Sequence, residues 1–413
     1  MRIGLVVAGE LDAVSGGYLY DRRLISFLRE RGHAVEVVTL PVESYPRQLL
    51  ANRRDLAERL AAVDVVVEDG LAGPSLLVAN RRLDVPTVAL CHMLRSRAAA
   101  GSGPLRRRLV ATVEERFLRG VDAAIHNSGA TRRGARELGC PPTDVIAPPG
   151  GDRFDPDVGN DEIRGRAEDG PLEACFLGNV IERKGPDVLV EGLARADVDW
   201  RLTVIGDETI EPKYASAVRR RVADRGLAGR VTVEGRLPDD AVANRLRNAH
   251  VLAVPSRYEP FGIVYLEGMS FGCVPLATTE GGAAEFVTDG ASGLLVPPTP
   301  DAVANGIESL ADHDRLASLG VGARRAYERQ PTWDESLARV ERFLAELVDG
   351  GRVGRGRDAD GGERAADTDT DDGTESTPSV TEGETESTPS VTEAETESTP
   401  SVTDDGTETG GRS

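Results

Sequence analysis

Val251-Leu-Ala-Val-Pro-Ser-Arg-Tyr-Glu-Pro-Phe-Gly-Ile-Val-Tyr-Leu-Glu-Gly-Met-Ser-Phe271 is the stretch on which the reading of this chain turns. Its first five residues, Val251–Pro255, are a short apolar run that reads as a buried strand. Tyr258–Phe261, with Pro260 inside it, reads as a tight loop. A helix is expected from near Gly262 to Phe271. One carboxylate, Glu259, then stands in a loop at the carboxyl end of a strand, and a second, Glu267, stands eight residues on, inside the helix. The backbone N–H groups of Phe261, Gly262 and Ile263 fall where that helix starts, and orphan donors plus the helix dipole make such a start attractive to anions. Ionised carboxylates only accept hydrogen bonds, so two of them beside an anion site suit a ligand with both phosphates and hydroxyls, such as a nucleotide sugar. Spacing alone equally allows Glu259 to be a helix cap and Glu267 a solvated surface charge.

Outward from this stretch, short apolar runs alternate with helical patterns. Strands are expected at Ile3–Val7, Ala34–Thr39, Val63–Val67, Thr87–Leu90, Ala123–His126 and Asp144–Ala147, with helices at Gly17–Arg31, Arg53–Ala62, Leu105–Arg119 and Thr131–Leu138. After a Pro-, Gly- and Asp-rich break from Pro148 to Pro171 the pattern restarts. Strands follow at Glu173–Leu177, Arg201–Ile205, Arg230–Glu234, Val251–Pro255, Val274–Ala277 and Gly293–Val296. Helices between strands mean βαβ units and parallel sheets. The expected fold class is α/β, with two doubly wound domains, 1–155 and 156–330, facing a cleft. A helix at Trp333–Val348, within a 331–350 segment, is expected to follow, with Thr332 as its N-cap.

Four further features fall near expected strand ends. In Phe176-Leu-Gly-Asn-Val-Ile-Glu-Arg-Lys-Gly185, a glycine closes a strand, and Arg183 and Lys184 precede a helix that opens at Gly185-Pro186. Only two lysines, Lys184 and Lys213, occur in the chain, so an ammonium beside a guanidinium here points to a fixed diphosphate contact; two solvated cations on a turn are the bland alternative. Ser15-Gly16-Gly17 follows the first strand, where glycine lets the backbone approach a phosphate or sugar closely. It is not a dinucleotide fingerprint. His92 ends a strand and could donate into a cleft, or be a satisfied structural histidine. Gly281-Gly-Ala-Ala-Glu285 reads as a glycine loop opening a helix, with Glu285 in its first turn, where the dipole alone would favour it.

Composition narrows the classes. The 413 residues carry 49 basic and 69 acidic groups, a net of −20. Residues 351–413 hold 5 basic and 17 acidic groups, a net of −12, which leaves −8 on the first 350. In that tail Thr-Glu-Ser-Thr-Pro-Ser-Val-Thr recurs from Thr374, Thr385 and Thr396. With proline in each copy and no apolar stripe, it is expected to be disordered. The acidic balance disfavours nucleic-acid partners and, with lysine so scarce, suits a halophile's high-salt cytoplasm; biased coding would give a similar composition. Cys91, Cys140, Cys175 and Cys273 form no CxxC pair, which argues for a reducing, cytoplasmic interior. No run of 18 apolar residues exists, and the first ten residues read as a strand rather than a signal peptide. Arg95, Arg97, Arg106, Arg107 and Arg108 surround a Gly/Ser/Ala loop, and could meet an anionic lipid or the inner membrane face, or be ordinary surface arginines.

Taken in this order, these motifs resemble glycosyltransferase family 4, with its GT-B fold, over roughly residues 1–348. Glu259-x7-Glu267 in its setting is the strongest part, supported by Gly-Asn-Val-Ile-Glu-Arg-Lys-Gly, Gly-Gly-Ala-Ala-Glu-Phe-Val, Gly-Leu-Leu-Val-Pro-Pro and Pro-Pro-Gly-Gly-Asp near 148–152. The resemblance implies retaining transfer of a hexosyl unit from a nucleotide-diphosphate sugar to a hydroxyl acceptor, with no metal or other cofactor. It implies that Arg183 and Lys184 hold the diphosphate, with Gly16 and Gly17 close by. Glu267 would take the ribose, and Glu259 and His92 the transferred sugar. Arg236 and Leu237 would border the base, with Phe261, Gly262 and Ile263 as backbone donors. The last helix would cross back onto the first domain, which would bind the acceptor, a glycan, lipid-linked sugar or polyol. Asn179 departs from the pattern, since many relatives carry Arg directly after that glycine; Arg183 is the candidate replacement. A nucleotide-sugar epimerase on the same fold, or a non-catalytic nucleotide-sugar-binding protein, is the alternative.

Overall fold

The structure, a computed structural model, describes residues 1–358 apart from 14, 42–44, 51–54, 61, 99–102 and 169, and leaves aside the side chains of 45, 46, 50, 55 and 351–358. The acidic repeats and the loop at 99–102 lie outside the described residues.

Strands β1 (Arg2–Ala8), β2 (Ala34–Leu40), β3 (Val65–Asp69), β4 (Thr87–Cys91), β5 (Ala123–His126) and β6 (Asp144–Ile146) form one sheet in the order β2-β1-β3-β4-β5-β6. Strands β7 (Leu172–Leu177), β8 (Trp200–Ile205), β9 (Val231–Gly235), β10 (Val251–Val254), β11 (Val274–Thr278) and β12 (Leu294–Val296) form a second, in the order β12-β11-β10-β7-β8-β9. Every pairing is parallel. All twelve strands stand within two residues of their expected places, because a parallel strand covered on both faces must be apolar almost throughout. Ile3, Leu5 and Val7 pack on one face of the first sheet with Tyr20, Leu24 and Leu28; Val6 and Ala8 pack on the other with Leu56 and Leu60. Trp200, Tyr265 and Phe176 anchor the core of the second lobe.

In each sheet the order reverses beside the first strand of the lobe, between β1 and β3 and between β7 and β10. Ligands of open α/β sheets bind outside the carboxyl ends of the strands at such switch points. Residues 15–17 follow β1, residues 178–185 follow β7 and residues 255–262 follow β10, so these sequence motifs occupy the switch points.

Three expected boundaries differ. The break at 148–171 contains a helix, Asn160–Ala167, whose Ile163 is buried in the second core. The expected Arg53–Ala62 helix is described only as Asp55–Arg59. The last helix runs from Trp333 to Asp358 rather than ending at Val348. Thr332 and Glu335 form a capping box at its start: the Glu335 N–H donates to Thr332 Oγ1 at 3.2 Å and the Thr332 N–H to Glu335 Oε2 at 3.0 Å. Its buried stripe, Trp333, Leu337, Val340, Leu344 and Val348, packs into the core of the first lobe.

Candidate functional site

All twelve site residues singled out from the sequence line one cavity of about 540 Å³ between the two lobes. On the side of the second lobe, Arg183 and Lys184 end a single 3₁₀ turn, Glu182–Lys184, and Gly185 turns the chain into the helix Pro186–Arg195. Lys184 Nζ donates to Glu259 Oε2 at 2.5 Å, and Ser256 Oγ donates to the same oxygen at 3.1 Å. Arg183 Nη1 lies 3.6 Å from it and donates to the Tyr258 carbonyl at 2.9 Å. Burial alone would raise the Glu259 carboxyl, but the Lys184 and Arg183 charges outweigh it and hold the acid below its usual value. Burial pushes the Lys184 ammonium down, against the pull of Glu259. The Glu259 loop is braced from behind: its N–H donates to the Glu280 carbonyl at 2.9 Å, and its carbonyl accepts from the Gly282 N–H at 2.9 Å.

The helix that follows is Ile263–Ser270, with Gly262 as its N-cap at φ 98°, a conformation that only glycine adopts cheaply. A Cβ there would also lie 2.4 Å from the Tyr265 ring. Phe261, Gly262, Ile263 and Val264 present this N-terminus to the cavity next to Lys184. Glu267, one turn on, is 2% exposed, so it is no surface charge. Its Oε1 accepts from Arg153 Nη1 at 3.3 Å, its Oε2 has no partner in the protein, and burial raises its carboxyl. Arg153 is held in turn by Asp239 at 2.6 and 3.3 Å. Leu237 and Arg236 follow β9 at the outer end of the cavity, where the Arg236 side chain is 62% exposed.

From the first lobe, Gly16 and Gly17 open the helix Gly16–Glu30, capped by Ser15. A Cβ on Gly17 would come within 3.3 Å of the His92 ring, so the backbone and imidazole are in contact there. His92 Nε2 lies 2.8 Å from Asp21 Oδ1, inside the protein, and Tyr20 packs edge-on against the ring at 5.2 Å. Burial opposes an imidazolium, but Asp21 and Asp69 overcome it and raise the His92 pKa.

The Gly281 loop departs from expectation. It opens no α-helix; Ala283–Glu285 is one 3₁₀ turn. Glu285 instead reaches the other lobe, where its carboxylate accepts the N–H groups of Gly129 and Ala130 at 2.8 and 2.6 Å. These are the first residues of the helix Gly129–Glu137, whose N-cap, Ser128, donates its hydroxyl to the Pro260 carbonyl at 2.7 Å. The carboxylate therefore serves the dipole of a helix on the opposite lobe.

Sequence reasoning did not find Asp21, Asp69 or Arg153. Asp21 and Arg153 meet their partners across 71 and 114 residues, so no local spacing marks the pairs. One signal existed for Asp21: it is the lone acid of its helix before Glu30 and sits one turn from Gly17. Among the described residues no group of three or more His, Cys, Asp or Glu side chains is placed to hold a metal ion. No helix among them is long and apolar enough to cross a membrane.

A family profile described as Glycosyltransferase Family 4 matches residues 16–151, and one described as Glycosyl transferases group 1 matches residues 160–324. The D-inositol 3-phosphate glycosyltransferase of Xylanimonas cellulosilytica is 34% identical over 299 residues, which span 67% of this chain and 70% of the relative. The GDP-mannose-dependent alpha-(1-6)-phosphatidylinositol monomannoside mannosyltransferase of Mycobacterium tuberculosis is 31% identical over 357 residues, 76% of this chain and 90% of the relative. Among solved structures, sucrose-phosphate synthase from Thermosynechococcus elongatus shares the fold, with a TM-score of 0.73 at 21% identity, covering 84% of this chain and 99% of that one.

Proposed function

Because the chain belongs to glycosyltransferase family 4 and has the GT-B fold of a glycosyltransferase, we propose that it moves a hexosyl unit from a nucleotide-diphosphate sugar to a hydroxyl acceptor with retention at the anomeric carbon. One observation carries the reading: the cation pair Arg183–Lys184, the N-terminus of Ile263–Ser270 and the buried carboxylates Glu259 and Glu267 converge on one cavity. The cations and the helix N-terminus supply positive potential for a diphosphate. Glu267, with Oε2 unpaired, accepts a ribose hydroxyl. Glu259 accepts from hydroxyls of the transferred sugar, and Arg236 and Leu237 flank the base.

In the proposed step, the bond from the anomeric carbon to the diphosphate oxygen breaks while the acceptor oxygen bonds on the same face. The acceptor proton passes to the leaving phosphate. Charge grows on the diphosphate, and preorganised Arg183, Lys184 and backbone N–H groups stabilise it there without reorganisation. His92, held by Asp21, donates to the transferred sugar. Donor identity is tested by thermal shift against UDP-, GDP-, ADP- and dTDP-sugars, in molar KCl as well as dilute buffer. A donor at 100 times its dissociation constant adds about 2.7 kcal/mol. Lys184→Ala should abolish the shift; an unchanged shift in that variant refutes the assignment.

The acceptor is proposed to sit against the first lobe. One surface there favours membrane contact: on the helix Pro104–Leu118, Leu105 and Leu109 are 83% and 56% exposed beside exposed Arg106, Arg107 and Arg108. Apolar tips flanked by arginine suit an anionic lipid surface.

A further inference from the structure

The Asp69 carboxylate stands in the cavity wall at the carboxyl end of β3, across from the donor-side cations. It is 1% exposed. Its Oδ1 accepts from the Leu71 N–H at 3.1 Å, and its Oδ2 has no partner in the protein. Beside it, Asp21 keeps one oxygen on His92 and has its other, Oδ2, unpaired. Tyr18, also in the wall, donates its hydroxyl to the Ala8 carbonyl at 2.6 Å, which leaves its oxygen free to accept. This corner therefore offers hydrogen-bond acceptors, with Leu71 and Met93 as apolar flanks.

We infer that Asp69 selects the acceptor, taking a hydrogen bond from a ring hydroxyl of a neutral polyol, either a free cyclitol or the terminal sugar of a glycan. The inference rests on the reading of the opposite wall as the donor site. Ring hydroxyls bring donors for Asp69 Oδ2 and the Tyr18 oxygen. A phosphate at the same place would face the buried Asp69 carboxylate, with the Asp21 charge behind it, and bring no donor of its own. The charged groups around Asp69 are Asp21, His92 and Arg95, and Arg95 is tied to Gln48 Oε1 at 3.0 Å and to the Leu71 carbonyl at 3.3 Å. Burial, then Asp21, pushes the Asp69 carboxyl up to about 7. A hydroxyl donor stabilises the ionised form, so polyol binding should tighten as pH rises through that value.

The test is saturation-transfer NMR on the full chain saturated with whichever nucleotide stabilises it. The probes are myo-inositol, methyl α-D-mannopyranoside and D-inositol 3-phosphate. Binding of myo-inositol points to a free cyclitol and binding of the mannoside to a glycan terminus. Asp69→Asn should weaken the neutral probe roughly ten- to a hundred-fold, the loss of one hydrogen bond to a charged group, while the nucleotide thermal shift stays. Asp69→Ser serves if the first variant does not fold. The inference is overturned if Asp69→Asn keeps full polyol affinity, if neither neutral probe binds wild type, or if the phosphorylated probe binds more tightly than its neutral parent. A wild-type protein that no nucleotide sugar stabilises refutes the donor reading and this inference with it.

Discussion

Glu68, the neighbour of Asp69 on β3, provides a pH test that depends on one hydrogen-bonded pair. Its side chain is fully buried, its Oε2 accepts from Asn80 Nδ2 at 2.8 Å, and both its Oε1 and Asn80 Oδ1 lack partners. Burial first, and the Asp122 charge after it, push the carboxyl up to about 8, against the Asn80 bond that favours ionisation. At neutral pH Glu68 is therefore a neutral acid. A proton on Oε1 would offer the donor that Asn80 Oδ1 lacks, on the side chain whose Nδ2 already donates to Oε2.

The folded pKa of about 8 lies above the unfolded value of 4.5, so the folded state binds a proton that the unfolded state releases. The associated stability is fully present below about pH 4.5 and is lost as pH rises toward about 8. In that window the slope is about 1.4 kcal/mol per pH unit, or about 3 kcal/mol between about pH 5.5 and about pH 7.5. Glu68→Gln keeps shape and pair, since an amide Nε2 can donate to Asn80 Oδ1, and has no proton to lose. Urea unfolding of both proteins across that range should show wild type losing about 3 kcal/mol relative to the variant, with other titrating groups cancelling in the difference. Infrared difference spectra should show a protonated carboxylic acid band in wild type at neutral pH that the variant lacks. A stability difference that does not change with pH, or no such band, refutes the reasoning.

Three other perturbations follow from the same geometry. Gly281→Ala should lose at least about 2 kcal/mol of stability, read by denaturant titration, and weaken donor binding: its φ is 135° and the new Cβ would stand 1.8 Å from the Glu259 carbonyl oxygen. Asp21→Asn should lower the His92 pKa, followed by NMR of the imidazole, because the facing carboxylate is what overcomes burial; an unchanged titration would show that the pair does not set the ring's charge. Replacing Leu105 and Leu109 together with Ser, or Arg106 and Arg107 with Glu, should reduce flotation with anionic vesicles while donor binding persists, and the arginine effect should fade in molar salt as the screening length shrinks to about 3 Å.

The sequence made the strands and motif loops legible for physical reasons. Strands covered on both faces have to be apolar runs, and loops at their carboxyl ends carry the Gly, Glu, Arg and Lys that strands exclude. Glu259 and Glu267 were legible as a pair because both lie in one strand-loop-helix unit, yet spacing left burial open, and burial separates a ligand group from a surface charge. The partners were illegible. Asp21, Arg153 and Asp239 act by pairing with residues on other elements, and that pairing exists only once those elements have packed together. Glu285 was misread for the same reason: a glycine loop followed by Ala-Ala-Glu looks like a helix start, whereas the helix it serves begins at Gly129 on the other lobe. The last helix, expected to end at Val348, stays helical to Asp358.

These pairs share a logic. Lys184 is held by Glu259, Glu267 by Arg153 and His92 by Asp21, so these buried charges of the cleft compensate one another, and unpaired ions in such a place would be costly. At Lys184 and Glu259 a ligand must therefore exchange partners rather than only add contacts. A diphosphate that draws Lys184 toward itself leaves Glu259 with Ser256 and Arg183, short of one strong donor. On the proposed function, hydroxyls of the transferred sugar would restore it. A nucleoside diphosphate without its sugar brings no such donor, so the exchange is complete only for the intact sugar nucleotide. On the proposed reading, the same carboxylate that steadies the Arg183–Lys184 cation pair discriminates for the full donor.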